Sequence, residues 1–165
     1  MYRSLQNGYS SVSTTTEQRS SIAKEGHPMT STTTTTEMTN AFLARLGAQD
    51  AEGLGDLFAD EIDWVVRGDR QLTPWAGPRS RKADVPAYFR DLWAALEPGK
   101  SVVSIDAVVT EGDNAVIFAV FDHVAAPTGR PFHTAVAMRL TVTNGKVSRM
   151  HLFEDTAAVA AAFAA

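Results

Sequence analysis

Residues Phe132 to Phe153 read FHTAVAMRLTVTNGKVSRMHLF, and this stretch decides the architecture. It divides at Thr143-Asn144-Gly145 into two runs, Phe132 to Val142 and Lys146 to Phe153, rich in β-branched and apolar residues. Asn-Gly between two such runs is a strong signal for a two-residue hairpin, because both central positions of the turn need positive φ. Two further runs precede it, Val102 to Thr110 and Ala115 to Val124. Their separators are Glu111-Gly112-Asp113-Asn114 and Pro127-Thr128-Gly129-Arg130, both dense in turn formers. Four strands therefore follow one another as an antiparallel meander, and the alanine-rich Ala157 to Ala165 predicts a short closing helix.

The chain upstream has another rhythm. Phe42, Leu43 and Leu46, then Leu54, Leu57 and Phe58, recur at helical spacing and predict two short helices broken near Gly47. Asp50 is placed to cap the second. Ile62 to Val66 predicts a strand, and Gly68 to Pro78 a loop. Asp84 is expected to cap a third helix running through Leu96, with Val85, Phe89, Leu92, Trp93 and Leu96 as its apolar stripe. Helices first and a meander afterwards define the α+β class, with helices laid on one face of a curved sheet.

Residues 1–37 are rich in Ser and Thr, ending in the run Thr32 to Thr36. Such a segment cannot bury enough apolar surface to offset its ordering entropy, so it is expected to be a disordered tail, with one domain over residues 38–165. The net charge of −4 and the scatter of Lys and Arg leave no footprint for nucleic acid. With no cysteine, thiolate ligands and cysteine nucleophiles are excluded. No run approaches the ~20 apolar residues that cross a bilayer, and Met1 to Ser31 lacks the order of a secretory signal. A soluble, cytoplasmic protein without membrane partners is the expectation.

Several motifs resemble the nuclear transport factor 2-like superfamily, in particular its SnoaL-like polyketide-cyclase branch. They are Leu57-Phe58-Ala59-Asp60-Glu61, Gly77-Pro78, Asn144-Gly145-Lys146-Val147 and Leu152-Phe153-Glu154-Asp155-Thr156-Ala157. The resemblance implies a cone-shaped, curved and mostly antiparallel (mixed) sheet with three N-terminal helices on its concave face. It also implies a homodimer and a cofactor-free enzyme acting on a small apolar metabolite of polyketide or terpenoid type; a non-catalytic binding or dimerisation module of the same fold is the alternative. Two familiar catalytic sets of the superfamily are missing. Phe42, Val66 and Ala137 stand where the ketosteroid isomerases carry a tyrosine, a base and an aspartate. Ala135 and Ala137 stand where the epoxide hydrolases carry two of three polar groups, and only Asp155 matches.

The inner face carried over from the resemblance consists of Phe118, Val120, Asp122 and Val124, then His133, Ala135, Ala137 and Arg139, then Met150, Leu152 and Glu154, with Ile62, Trp64 and Val66 closing the far side. On this reading Asp122 enters an apolar cone, where desolvation raises its pKa towards useful acid–base work, with His133 beside it across the hairpin. The alternative for Asp122 is a strand-end carboxylate in solvent or paired with Arg130 or Arg139. Asp155 is the third candidate catalytic group, and it could equally be a cap of the last helix. Trp64 and Trp75 offer flat walls for a ring-shaped ligand, joined in the predicted binding set by Phe118, Val120, Arg139, Met150, Leu152 and Glu154. Arg67, Arg70, Arg79 and Arg81 cluster around the loop before the third helix, as a solvated loop or as a partner for an anionic group. His123 and His151 are expected to face away from the cone, and Ile117, Ala119 and Phe121 to form the outward apolar patch of a dimer. The histidines show no metal-ligand spacing, so no metal site is expected.

Overall fold

The computed structural model describes residues 33–165; most of the proposed tail lies outside the described residues. Helix α1 spans Thr35–Gly47, starting three residues before Met38. The middle of the threonine run is its cap: Thr34 accepts from the Glu37 amide, while the Glu37 carboxylate accepts from the Thr34 amide at 2.8 Å. Such a reciprocal box satisfies two backbone donors left free at the start of a helix. Helix α2 spans Ala51–Leu57 and is capped by Asp50, which accepts from the Gly53 amide at 2.8 Å.

Strand β1 (Phe58–Val66) begins four residues earlier than its β-branched run, and β2 (Gly77–Arg81) starts in the last two residues of the expected loop and runs beyond it. Helix α3 spans Asp84–Ala94; Asp84 is its first residue rather than its cap, which is Ala83. Strands β3 (Val102–Glu111), β4 (Asn114–Val124), β5 (Pro131–Thr143) and β6 (Lys146–Phe153) agree with the meander read from the turns. Asn144 and Gly145 both have positive φ, 51° and 70°, as the hairpin turn requires. Helix α4 (Thr156–Phe163) closes the chain.

The six strands form one sheet in the order β2-β1-β6-β5-β4-β3. All neighbours are antiparallel except β1 and β6, so the sheet is mixed. Contacts run from α1 to β4 and β5, α2 to β1, α3 to β2 and α4 to β5. The core beneath them centres on Phe42, Phe58, Trp64, Tyr88 and Phe89, whose rings meet edge-on or tilted at centroid distances of 4.7 to 6.3 Å. No helix among the described residues is long and apolar enough to cross a membrane.

The side of the sheet that faces this core is the reverse of the expected one on β4 and β5. Ala115, Ile117 and Ala119 on β4, and Thr134, Val136, Met138, Leu140 and Val142 on β5, are buried. Their alternates Phe118, Asp122, His133 and Ala135 are exposed. The patch assigned to the outside, Ile117, Ala119 and Phe121, is therefore inside. The reason is that β4 is apolar on both faces, with Val116, Phe118 and Val120 alternating with Ile117, Ala119 and Phe121, so its period of two carries no direction. On β5 the uninterrupted series Val136, Met138, Leu140, Val142 opposes Ala135, Ala137, Arg139 and Thr141, and it does mark the core side.

Candidate functional site

The predicted Asp122–His133 pair exists, since register places the two residues opposite each other and brings Oδ1 and Nδ1 to 2.6 Å. It lies on the uncovered face, with side-chain exposures of 51% and 69%. Both side chains stand in water there, outside the apolar cone that the resemblance implies for Asp122. Phe118, Val120 and Arg139 share that face, and Arg139 donates to Asn114 Oδ1 at 3.0 Å. These residues do not line the interior. Asp155 caps α4, accepting from the Ala157 and Ala158 amides at 3.0 Å each. Its own amide donates to Thr134 Oγ1 at 3.0 Å.

On the helix-covered side the structure keeps Trp64, Trp75, Met150, Leu152 and Glu154. The two tryptophans, Met150 and Leu152 are buried core residues. Trp75 meets Phe163 of α4 edge-on at 4.9 Å, and Phe163 in turn meets Phe132 at 5.9 Å. Helix α4 is fixed across this end of the interior by the β4–β5 connection. Thr128 donates to the Ala162 carbonyl at 2.5 Å, and Arg130 to the Ala164 carbonyl at 2.7 Å. An arginine on the last carbonyls of a helix also complements its dipole.

Glu154 is the carboxyl group that enters the interior. It stands just beyond the end of β6, half-buried, and its charge is felt by the buried Tyr88 on the covered side. Burial, reinforced by the charge of Asp155, pushes its pKa up to about 7. The buried Tyr88 of α3 is within reach of its charge. Burial, then Glu154, hold the phenol well above its ordinary value, against a smaller opposing pull from Arg79. Arg79 on β2 stacks its guanidinium over the Tyr88 ring at 4.7 Å and the Trp64 ring at 5.9 Å. On the far side of β5, His123 also points inward, between Phe121 and Phe132 at 5.3 and 5.5 Å. Burial lowers its pKa, overcoming Asp122 next door, so the imidazole is held neutral. Among the described residues its Nδ1 is buried without a partner, as is Trp64 Nε1.

The interior thus presents one carboxyl near neutral pKa, a protonated phenol, a cation and a neutral imidazole on an apolar wall. Of these, reading the sequence singled out Glu154 and, within a loop cluster, Arg79. Tyr88 escaped notice although it stands three residues after Val85, on the helical stripe; His123 was placed outside by the reversed β4 face. Among the described residues no three His, Asp or Glu groups come together as a metal site. An open groove of about 580 Å³ outside the interior is lined by Glu52, Asp56, Asp60, Arg81, Lys82 and Arg90. Its charges neutralise one another, as Lys82 meets Asp56 at 3.5 Å and Arg90 pairs with Glu52. It offers no chemistry comparable to the interior.

Residues 39–150 match the model of the SnoaL-like domain, and the chain belongs to that family. No curated protein matches it. Solved structures share its fold. An NTF2-like protein of Burkholderia thailandensis is 22% identical, over 80% of this chain and 98% of its own, with a TM-score of 0.70. A protein of ketosteroid isomerase-like fold from Catenulispora acidiphila, in complex with trimethylamine, is 20% identical over 77% and 92%, with a TM-score of 0.62. TerC, co-crystallised with polyporic acid, is 19% identical over 78% and 97%, with a TM-score of 0.66.

Proposed function

We propose that the protein is an enzyme that moves a proton on a small, largely apolar ring-forming metabolite of polyketide or terpenoid type, with Glu154 as the acid–base group. The observation that carries this reading is the Glu154 carboxyl, turned into an apolar interior and titrating near neutrality. A general acid or base works best when its pKa lies near the working pH. Tyr88, held protonated, supplies a hydrogen-bond donor for charge that develops on the substrate. Small organic molecules in two relatives of this fold, trimethylamine and polyporic acid, support a ligand of similar scale.

The test uses 5-nitrobenzisoxazole, whose ring opening needs only a base in an apolar site. Carboxylate does the work, so the rate is expected to rise with pH, reach half its maximum near pH 7 and level off above. Glu154→Gln should lower it by about 10²–10⁴. A flat profile from pH 5.5 to 8.5, or a Gln variant as fast as the parent, removes Glu154 from the chemistry. That result favours the second reading, a binding module without turnover, which the close packing of Phe42, Phe58, Trp64, Tyr88 and Phe89 also favours.

We further propose that two copies pair through the uncovered sheet face. Phe118 and Phe153, 43% and 50% exposed, stand there among Val116, Val120, Ala135 and Ala137. Around them lie both signs of charge, including Asp63 with Arg149 at 2.6 Å and His151 at 2.9 Å. Light scattering should give about twice the 17.8 kDa chain mass at micromolar concentration, and Phe118→Glu should give the single chain. A parent protein that scatters as one chain contradicts the pairing.

A further inference from the structure

Arg79 and Trp64 face each other in the β1–β2 register, so both belong to the covered side of the sheet. A guanidinium has five N–H donors and no acceptor. The bonds Arg79 makes among the described residues are to carbonyls, that of Trp75 at 2.7 Å and that of Gly77 at 3.5 Å. No carboxylate there forms an ion pair with it; Asp84 and Asp91 act on it only as more distant charges, and burial lowers its pKa more strongly than they raise it. Beside it the indole of Trp64, 1% exposed, holds an Nε1–H with no partner among the described residues.

These neighbours make a one-sided demand. Both supply donors, one carries a full charge, and neither supplies an acceptor. An unmet buried donor is costly, and a partly buried charge is stabilised by an opposite one. A neutral, purely hydrocarbon ligand would leave both groups as they are. A planar anion would meet them together, because a carboxylate accepts two parallel bonds from one guanidinium and has lone pairs left for a third donor.

We infer that the ligand of this interior carries a carboxylate on its apolar ring system, seated on Arg79 and on the Trp64 Nε1–H. The inference rests on reading the interior as a small-molecule site and adds the chemical class of the ligand. It also sets the two charged partners apart. Arg79 holds the ligand's anionic end, while Glu154, across Tyr88, is left free to exchange a proton.

The experiment is calorimetric titration of the full chain with trans-cinnamate and trans-cinnamamide, which share shape and differ in charge. Cinnamate is expected to bind at least about tenfold more tightly, the scale of a charge-assisted hydrogen bond. Arg79→Gln should abolish that preference by weakening cinnamate alone, and Arg79→Lys should keep part of it. Trp64→Phe, which retains a ring and removes the N–H, should weaken cinnamate about three- to tenfold and leave cinnamamide within twofold. Equal binding of the two probes overturns the inference, as does a folded Arg79→Gln protein with its preference intact, or a chain that binds neither probe. If the preference fails while Glu154-dependent ring opening of 5-nitrobenzisoxazole stands, the inference falls and the proposed function survives. If the preference holds and that ring opening is independent of Glu154, the reverse is true.

Discussion

Glu154→Gln is expected to stabilise the protein at pH 8 while it abolishes proton transfer. The folded state holds the carboxyl at about 7, above the 4.5 of an ordinary glutamate, because burial and Asp155 both disfavour its ionised form. A group whose pKa is raised on folding contributes its full stability below the unfolded value and loses it as pH climbs to the folded one. The parent should therefore lose stability between about pH 4.5 and 7 and reach a floor above, with an upper limit of about 3 kcal/mol for a displacement of this size. Glutamine has nearly the same shape and no charge to bury. At pH 8 the variant should melt about 5–10 °C higher than the parent, and at pH 4 the two should coincide. Thermal melts at the two pH values decide it. A variant less stable at pH 8, or a gap that persists at pH 4, would show that Glu154 is not a buried carboxyl poised near neutrality.

Phe42→Ala should cost about 3–5 kcal/mol, a large part of the 5–15 kcal/mol that holds a domain of this size together. Phe42 is fully buried and lies edge-on to Phe58 and Phe89, both at 6.3 Å, so one ring joins α1 to β1 and α3. Truncation would leave a cavity at the junction of three elements, none of which can move inward without pulling the other two apart. Phe42→Leu should cost a fraction as much. The urea midpoint measures both, and a loss below about 1 kcal/mol for the alanine variant would mean that the junction collapses around the gap. At the position where the resemblance would put a tyrosine, this chain carries a buried packing residue.

The elements were legible because turn chemistry announced them. Asn144-Gly145, Gly112 and Gly129 all take positive φ where the turns were read, and the four meander strands lie between them. β2 was not legible, since Gly-Pro-Arg-Ser-Arg has the composition of a loop and becomes a strand only by pairing with β1. Orientation was half legible. β6 and β1 showed one apolar face each, and Met150, Leu152, Ile62, Trp64 and Val66 lie where expected. β4 had two apolar faces, one for the core and one left bare, and no count of its residues separates them. That ambiguity let the face implied by the resemblance put Asp122 inside and His123 outside, and His133 followed Asp122 across the hairpin although β5 itself marks the other side. The choice of Glu154 needed knowledge that no local pattern holds, namely that its neighbours bury it while Asp155 turns away to cap α4.

The two-faced middle of the sheet constrains how this protein can change over evolutionary time. Along β4 and β5 every second residue serves the interior and its neighbours serve the bare face, over eleven consecutive register pairs from Asn114–Thr141 to Val124–Pro131. A point replacement on one face leaves the other untouched, so the two surfaces can diversify separately. Losing or gaining one codon within either strand is a different event, because it exchanges the faces from that point onward and presents Arg139 to the core and Leu140 to water. Length polymorphism should therefore be confined to the exposed ends, the 111–114 and 126–129 turns, while the strands between them diverge by substitution alone.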